Sequence, residues 1–343
     1  MKTTRQGRPA APADAAPGQA TMQAIVQRRY GTRAEEVLGL EQAAAPAIAA
    51  NEVLVQVRAA GVDRGTWHLM AGQPYLMRLL GFGLRGPRNP VPGLDVAGTV
   101  IATGADAGGF RAGDEVFGIA RGSFAEYAAA RADKLVHKPA RLSFAQAAAV
   151  GVSGLAALQG LHAGRLRAGQ KVLVIGASGG VGSYAVQLAK AFGAEVTGVS
   201  STGKTDLVRS IGADHVIDYT RDDFADGRQH YDLILDIGGN NRLARLRRAL
   251  APTGTLVIAG GEGGKWTGVG RQLRALMLSP FTRQRLTTYV STHRQADLDT
   301  LRQLIETGQV TPVIGGTYPL AGLPEAVHHL HAGHARGKLA ITI

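Results

Sequence analysis

The chain has 343 residues, 45% of them hydrophobic, with 47 glycines, no cysteine and a formal net charge of +12. That length suits two domains of an α/β protein, and the lack of cysteine excludes disulfides, thiolate zinc sites, iron–sulfur clusters and cysteine nucleophiles. No apolar run approaches the roughly 20 residues that cross a bilayer, so no membrane span is expected and a cytoplasmic location is the default.

In chain order, residues 1–21 are rich in Ala and Pro, carry Lys2, Arg5 and Arg8, and lack the apolar core of a secretory signal, so they read as a mobile tail. From Met22, short strands and turns alternate through MQAIVQRR, NEVLVQVRAAGV, GLDVAGTVIATG, GDEVFGI and FAEYAAARADKLVHKP. This predicts a compact β-rich domain over 22–145. Ser143 and Gln146 form a capping box for a helical segment whose alanines run to Ala157. From Lys171 the pattern turns to strand and helix in alternation, with strands at 172–175, 195–200, 215–217, 232–236, 255–259 and 286–291. Such alternation predicts a doubly wound parallel sheet in a domain over 146–294. A helix is expected over 297–307. The last strand, 338–343, lies too far along the chain to extend that sheet simply, so 295–343 is expected to complete the first domain.

The most informative unit is KVLVIGASGGVGSYAVQLAKAFGA, residues 171–194: a buried-type strand, a glycine turn and an amphipathic helix. Ala177, Gly179 and Gly182 occupy the three positions of G-x-G-x-x-G. Gly179 lets backbone approach a pyrophosphate, Gly182 lets the helix pack on the strand, and the helix N-terminus offers free N–H groups. At the end of the next strand, where NAD-specific proteins place an acid on the ribose 2′-OH, the chain reads Ser200, Ser201, Thr202, Gly203, Lys204. Hydroxyls and a cation suit a 2′-phosphate, which predicts NADPH as the cofactor.

The charge is uneven. Residues 240–294 hold ten cations and one acid, Glu262. They mark either a surface for an acidic partner or solvated helix faces; without interleaved aromatics, nucleic-acid binding is not expected.

The segments AAGVDRGTWHLMAG, NPVPGLDVAGTV, GDEVFG, GSFAEYAAA, LSFAQAAAVGVSGLAAL, GASGGVG, GADHVIDY and HARGKLAITI, in this order, resemble the medium-chain dehydrogenase/reductase superfamily and its zinc-free quinone oxidoreductase branch. The resemblance, from about Met22 to Ile343, implies a GroES-like β-rich catalytic domain beside a Rossmann domain, with the nicotinamide in the cleft between them. Zinc-dependent relatives have cysteine where this chain has Asp63, and Gly-His-Glu where it has Gly93, Leu94 and Asp95. Two carboxylates without histidine or thiolate do not make the usual three-ligand zinc site, so no metal is expected.

The resemblance also implies positions for the cofactor. Val152 and Ser153 fall near the nicotinamide, Ser178, Gly180 and Val181 at the pyrophosphate, and Ser201, Lys204 and Tyr219 around the 2′-phosphate. Gly260, Gly261 and Lys338 are further candidates. Asp63 stands where the family usually has an Asn beside the nicotinamide, and Arg64 where it has Pro. Trp67, Tyr75 and Phe82, in a long apolar stretch between Gly61 and Pro92, either line the substrate cleft or belong to the core. His328, His329, His331 and His334 cluster at a spacing that also suits an exposed helix end.

Without a Lewis acid, quinones and enones are easier targets than simple ketones, because hydride-borne charge spreads over a conjugated oxygen. The expected activity is NADPH-dependent reduction of quinones or α,β-unsaturated carbonyls, the proton coming from solvent. Two other readings stand beside it: an enoyl reductase for a carrier-linked acyl chain, and a weakly catalytic NADPH- or RNA-binding protein. The strand at 286–290 is expected to close a homodimer across a two-fold axis.

Overall fold

A computed structural model describes residues 21–76, 78–238, 241–260 and 269–343; the expected N-terminal tail falls almost wholly outside them. The chain opens with β1 (Thr21–Val26), α1 (Ala34–Val37), β2 (Gly39–Ala44), β3 (Glu52–Val62) and α2 (Arg64–Ala71). It continues through β4 (Asp95–Thr103), β5 (Glu115–Ile119), β6 (Tyr127–Arg131), β7 (Leu135–His137), α3 (Phe144–Ala148) and α4 (Gly151–Ala163). Along β3, Val53, Val55 and Val57 point inward while Gln56 and Arg58 are exposed, the alternation of a strand with one covered face. The Ser143 capping box is present, with its Oγ accepting from Gln146 N–H at 3.2 Å. The helical segment it starts is broken at Ala149 and Val150 into two helices, α3 and α4.

Six strands then alternate with helices: β8 (Lys171–Ile175), α5 (Gly180–Ala191), β9 (Glu195–Ser200), α6 (Thr205–Ser210), β10 (His215–Asp218), β11 (Tyr231–Asp236), α7 (Leu243–Ala249), β12 (Leu250–Ile258), α8 (Gly270–Leu278) and β13 (Arg285–Thr288). They pair in the order β10-β9-β8-β11-β12-β13, every pair parallel. Val172 to Ile175 in β8 are all buried, as a central parallel strand covered on both faces requires. The direction of winding reverses between β8 and β11, which opens a crevice at the carboxyl ends of those strands.

After α9 (Gln295–Glu306), the chain forms β14 (Ile314–Pro319), α10 (Leu323–His331) and β15 (Lys338–Thr342). Strand β15 pairs antiparallel with β3 and parallel with β14, in a seven-stranded sheet ordered β14-β15-β3-β4-β5-β7 with β6 also on β3. One continuous apolar core joins the regions: Phe117 and Val136 from the mixed sheet share a cluster with Leu155, Leu158, Val174 and Tyr184. Among the described residues, no helix is long and apolar enough to cross a membrane.

Candidate active-site cleft

The crevice is one end of a cleft of about 790 Å³ lined by both sheets. Its floor is the turn after β8. Gly176 has φ +86°, a conformation that favours glycine, and a Cβ on Gly182 would stand 2.0 Å from the Gly176 carbonyl oxygen, so only glycine lets α5 sit this close to the strand. A Cβ on Gly179 would meet nothing nearer than 3.5 Å, so the turn is open on its outer side. No side chain caps α5 and no acid lies in its first turn. Its leading amides therefore need an acceptor from outside the chain, and a phosphate fits that need.

At one end of the cleft stand Ser201, Lys204 and Tyr219. Lys204 Nζ donates to the carbonyls of Gly333 and Ala335, each at 2.7 Å, which anchors the segment before β15. Burial, and then Arg336, lower its pKa, and its charge meets no acid among the described residues. Nearby acids are already committed. Asp218 accepts from the hydroxyls of Thr202 (2.6 Å) and Thr220 (2.7 Å), and Asp223 from Arg245 and Arg248. The Arg245 guanidinium also lies 4.2 Å over the Phe224 ring, and both residues line the cleft.

The other end is buried and bridges the sheets. Lys338 Nζ, on a side chain only 1% exposed, donates to Asp95 Oδ2 at 2.7 Å and lies 3.6 Å from Asp63 Oδ2. Asp95 uses its other oxygen to accept from Val152 N–H at 2.6 Å, and the Lys338 stem runs past Gly180. Gly337 N–H donates to the Ser178 carbonyl at 2.8 Å. Thus β15, β4, α2, α4 and the glycine turn meet at one ion pair. Burial works against the Lys338 charge, but Asp95 and then Asp63 outweigh it and raise the ammonium above the ordinary lysine range. Burial raises the Asp95 carboxyl, with Lys338 opposing. Ser153 Oγ is buried beside Gly180 without a partner among the described residues, an orphan hydroxyl on the cleft wall.

The cleft brings together Asp63, Ser153, Ser178, Gly179, Gly180, Val181, Ser201, Lys204, Tyr219, Gly260 and Lys338. Val152 and Gly182 sit behind its wall, the first bound to Asp95 and the second packed on β8; Gly261 lies outside the described residues. The three aromatics lie off its walls. Trp67 stacks on His331 (centroids 4.4 Å apart), Tyr75 lies under the Arg78 guanidinium, and Phe82 is 46% exposed. The groups that do line this end are Arg64 and His68 from α2 and His331 from α10, none of which carries a recognisable motif. One signal pointed to the pair on α2: Asp63 and Thr66 form a capping box that starts a helix, and positions four apart then share a face.

Asp63, Leu94 and Asp95 do not suit zinc. Leu94 has no donor atom, and both Asp95 oxygens are engaged by Lys338 and Val152.

The family described as alcohol dehydrogenase GroES-like domain matches residues 49–140, and that described as zinc-binding dehydrogenase matches 211–341. The chain is 32% identical to a quinone oxidoreductase of Sus scrofa, covering 96% of this chain and 100% of that protein. It is 35% identical to the chloroplastic NADPH-dependent alkenal/one oxidoreductase of Arabidopsis thaliana, over 74% of this chain and 64% of that one. Among solved structures, the quinone oxidoreductase from Coxiella burnetii superposes with a TM-score of 0.83 at 27% identity, covering 94% of this chain and all (100%) of that one. With a Rossmann-like sheet and a GroES-like domain enclosing one cleft, the chain is an oxidoreductase of the medium-chain dehydrogenase/reductase superfamily, in its quinone oxidoreductase branch.

Proposed function

We propose that the protein reduces quinones or α,β-unsaturated carbonyls with NADPH and without zinc. The observation that carries this reading is the cleft's layout. An uncapped helix N-terminus lies at its centre, a cation with no acidic partner among the described residues at one end, and a buried, donor-lined pocket at the other. The α5 amides, with Ser178, Gly179, Gly180 and Val181, hold the pyrophosphate. Ser201, Lys204 and Tyr219 receive the 2′-phosphate, whose charge of nearly two units matches the unpaired ammonium. Ser153 and Gly260 border the nicotinamide, and Lys338 and Asp95 hold that wall in place. A bound dihydronicotinamide supplies hydride. The name of the Arabidopsis relative supports the NADPH preference, and the names of both relatives support the substrate classes.

Lack of zinc fits the donor set, because the Lys338 ammonium already sits beside Asp95 and Asp63 as a cation belonging to the chain. Hydride transfer to a conjugated acceptor also needs less Lewis-acid help than transfer to an isolated ketone. The test is steady-state oxidation of NADPH by a panel of quinones and enones, with the protein held in chelator. Turnover with NADPH well above that with NADH supports the reading. Binding of NADPH without turnover on any acceptor would refute it.

We also infer a homodimer. Among the described residues β13 pairs in its sheet only with β12, leaving an edge strand open, and Arg285 is engaged within the chain, donating to the Ala163 carbonyl at 2.6 Å. Light scattering at micromolar concentration should give the dimer mass. A monomer would refute the pairing.

A further inference from the structure

Helix α2 forms a rigid wall at the buried end of the cleft. Its start is fixed twice over: Asp63 Oδ1 accepts from Thr66 N–H at 3.0 Å, and Asp63 Oδ2 faces the Lys338 ammonium at 3.6 Å. From that anchor the helix turns Arg64 and His68, four residues apart, onto the cleft. Trp67 meets the His68 ring edge-on at 5.2 Å and itself stacks on His331 of α10, so the ring is held from two elements.

His68 Nδ1 is fully enclosed and has no hydrogen-bond partner among the described residues, while the ring lines the cleft. Burial, then Arg64 and to a lesser degree His331, hold the ring below the ordinary histidine range, against smaller opposing contributions from the Gln73 backbone and Asp63. The imidazole is therefore neutral at pH 7, with one N–H to give and no net charge to lose.

We propose that His68 donates the hydrogen bond that receives the substrate's carbonyl oxygen as negative charge develops there. The assignment rests on the reductase reading. Hydride reaches the β-carbon of an enone, so a C–H bond forms there as the C–H bond of the reduced nicotinamide breaks. The π pair of the C=C bond moves toward the carbonyl carbon, and the carbonyl pair moves onto oxygen. His68 meets the enolate oxygen without giving up its proton. A solvent proton then completes the α-carbon, and the enolate pair becomes that C–H bond. For a quinone the same donor meets the phenolate oxygen. A preorganised donor at such a position is worth about 10²–10³ in kcat.

The test compares wild type with His68→Phe and His68→Gln. His68→Phe should lower kcat about 100-fold while NADPH affinity stays within about threefold, and His68→Gln, which keeps a donor, should recover most of the loss. The kcat of wild type should be flat from about pH 7 to 9. A protonated acid would instead lose rate with rising pH. A second readout needs no turnover: the carbonyl stretch of 2-cyclohexen-1-one bound to the NADP⁺-loaded protein should fall below its value in water and return toward it in His68→Phe. Unchanged kcat in His68→Phe, an equal loss of NADPH binding, no recovery in His68→Gln, or no change in the carbonyl stretch would each overturn the assignment. Wild type that binds NADPH but reduces no quinone or enone would remove the reductase reading, and this role with it.

Discussion

The two ends of the cleft solve the problem of holding charge in opposite ways. At the Lys204 end, a partly exposed ammonium rests on two backbone carbonyls and meets no acid among the described residues, so its field remains available to an arriving anion. At the Lys338 end, the ammonium is shut away between two carboxylates and its charge is spent inside the protein. On the proposed reading, one lysine is a receptor and the other a strut. A buried pair is costly to break but not necessarily a large net stabiliser, whereas an unpaired surface cation adds little to folding and much to anion binding.

Removing the strut should have the largest effect. Lys338→Met leaves Asp95 buried without its cation and should cost about 3–5 kcal/mol in a denaturant titration. Adding Asp95→Asn should restore a good part of that loss, because the uncompensated charge goes with it. A single variant with the midpoint of wild type would show that the pair does not hold this end together.

Removing the receptor should act on binding. Lys204→Ala should weaken NADPH by about tenfold or more, the value of a charge-assisted hydrogen bond, and change NADH much less by calorimetric titration. Equal losses for the two cofactors would mean that Lys204 serves only to anchor the Gly333–Ala335 backbone.

The comparison also separates what the sequence reveals from what it hides. The parallel sheet is legible because strand, turn and helix follow one another, and all six strands from β8 to β13 form near where the alternation places them, although β12 starts at Leu250, not 255, and β13 ends at Thr288, not 291. The glycine turn and the Ser-Ser-Thr-Gly-Lys loop are legible for the same reason: each is a local pattern with a local purpose. The strut joins residues 243 positions apart, and no periodicity marks such a pair. The Lys204 anchors lie 129 and 131 residues away, which the loop sequence does not show. Strands β2, GLEQAA, and β14, IGGTYP, escape notice because their small and polar residues lack the β-branched signature. His68 is one of ten histidines, and only the helix that carries it shows that it faces the cleft.

Two smaller effects sharpen the contrast. If the Lys338 ammonium takes the part of a metal, exhaustive chelation should leave both the unfolding midpoint and NADPH turnover unchanged. Activity lost when stoichiometric zinc is removed, and restored when it is returned, would contradict this.

Histidines held below their ordinary range should set a mild acid limit on stability. Burial, as the leading cause, depresses His68, His293 and His331. In the folded protein they stay neutral where the unfolded chain, with pKa values near about 6.5, takes up protons. The unfolded state then binds more protons, so stability is fully present above about pH 6.5 and falls as pH drops toward the folded values. Thermal unfolding from pH 8 to 5.5 should show that decline, and His68→Gln should make it shallower.

The central claim is that one cleft binds NADPH by its phosphate end and reduces a conjugated carbonyl at the other. The most direct measurement is the rate of NADPH and NADH oxidation by wild-type protein with a quinone and an enone, in chelator, each over a range of cofactor concentrations. The account predicts turnover of at least one acceptor, with kcat/KM for NADPH exceeding that for NADH by about 30-fold, the ratio that about 2 kcal/mol of phosphate contacts gives. Equal kcat/KM for the two cofactors, or no turnover of either acceptor class, would contradict it.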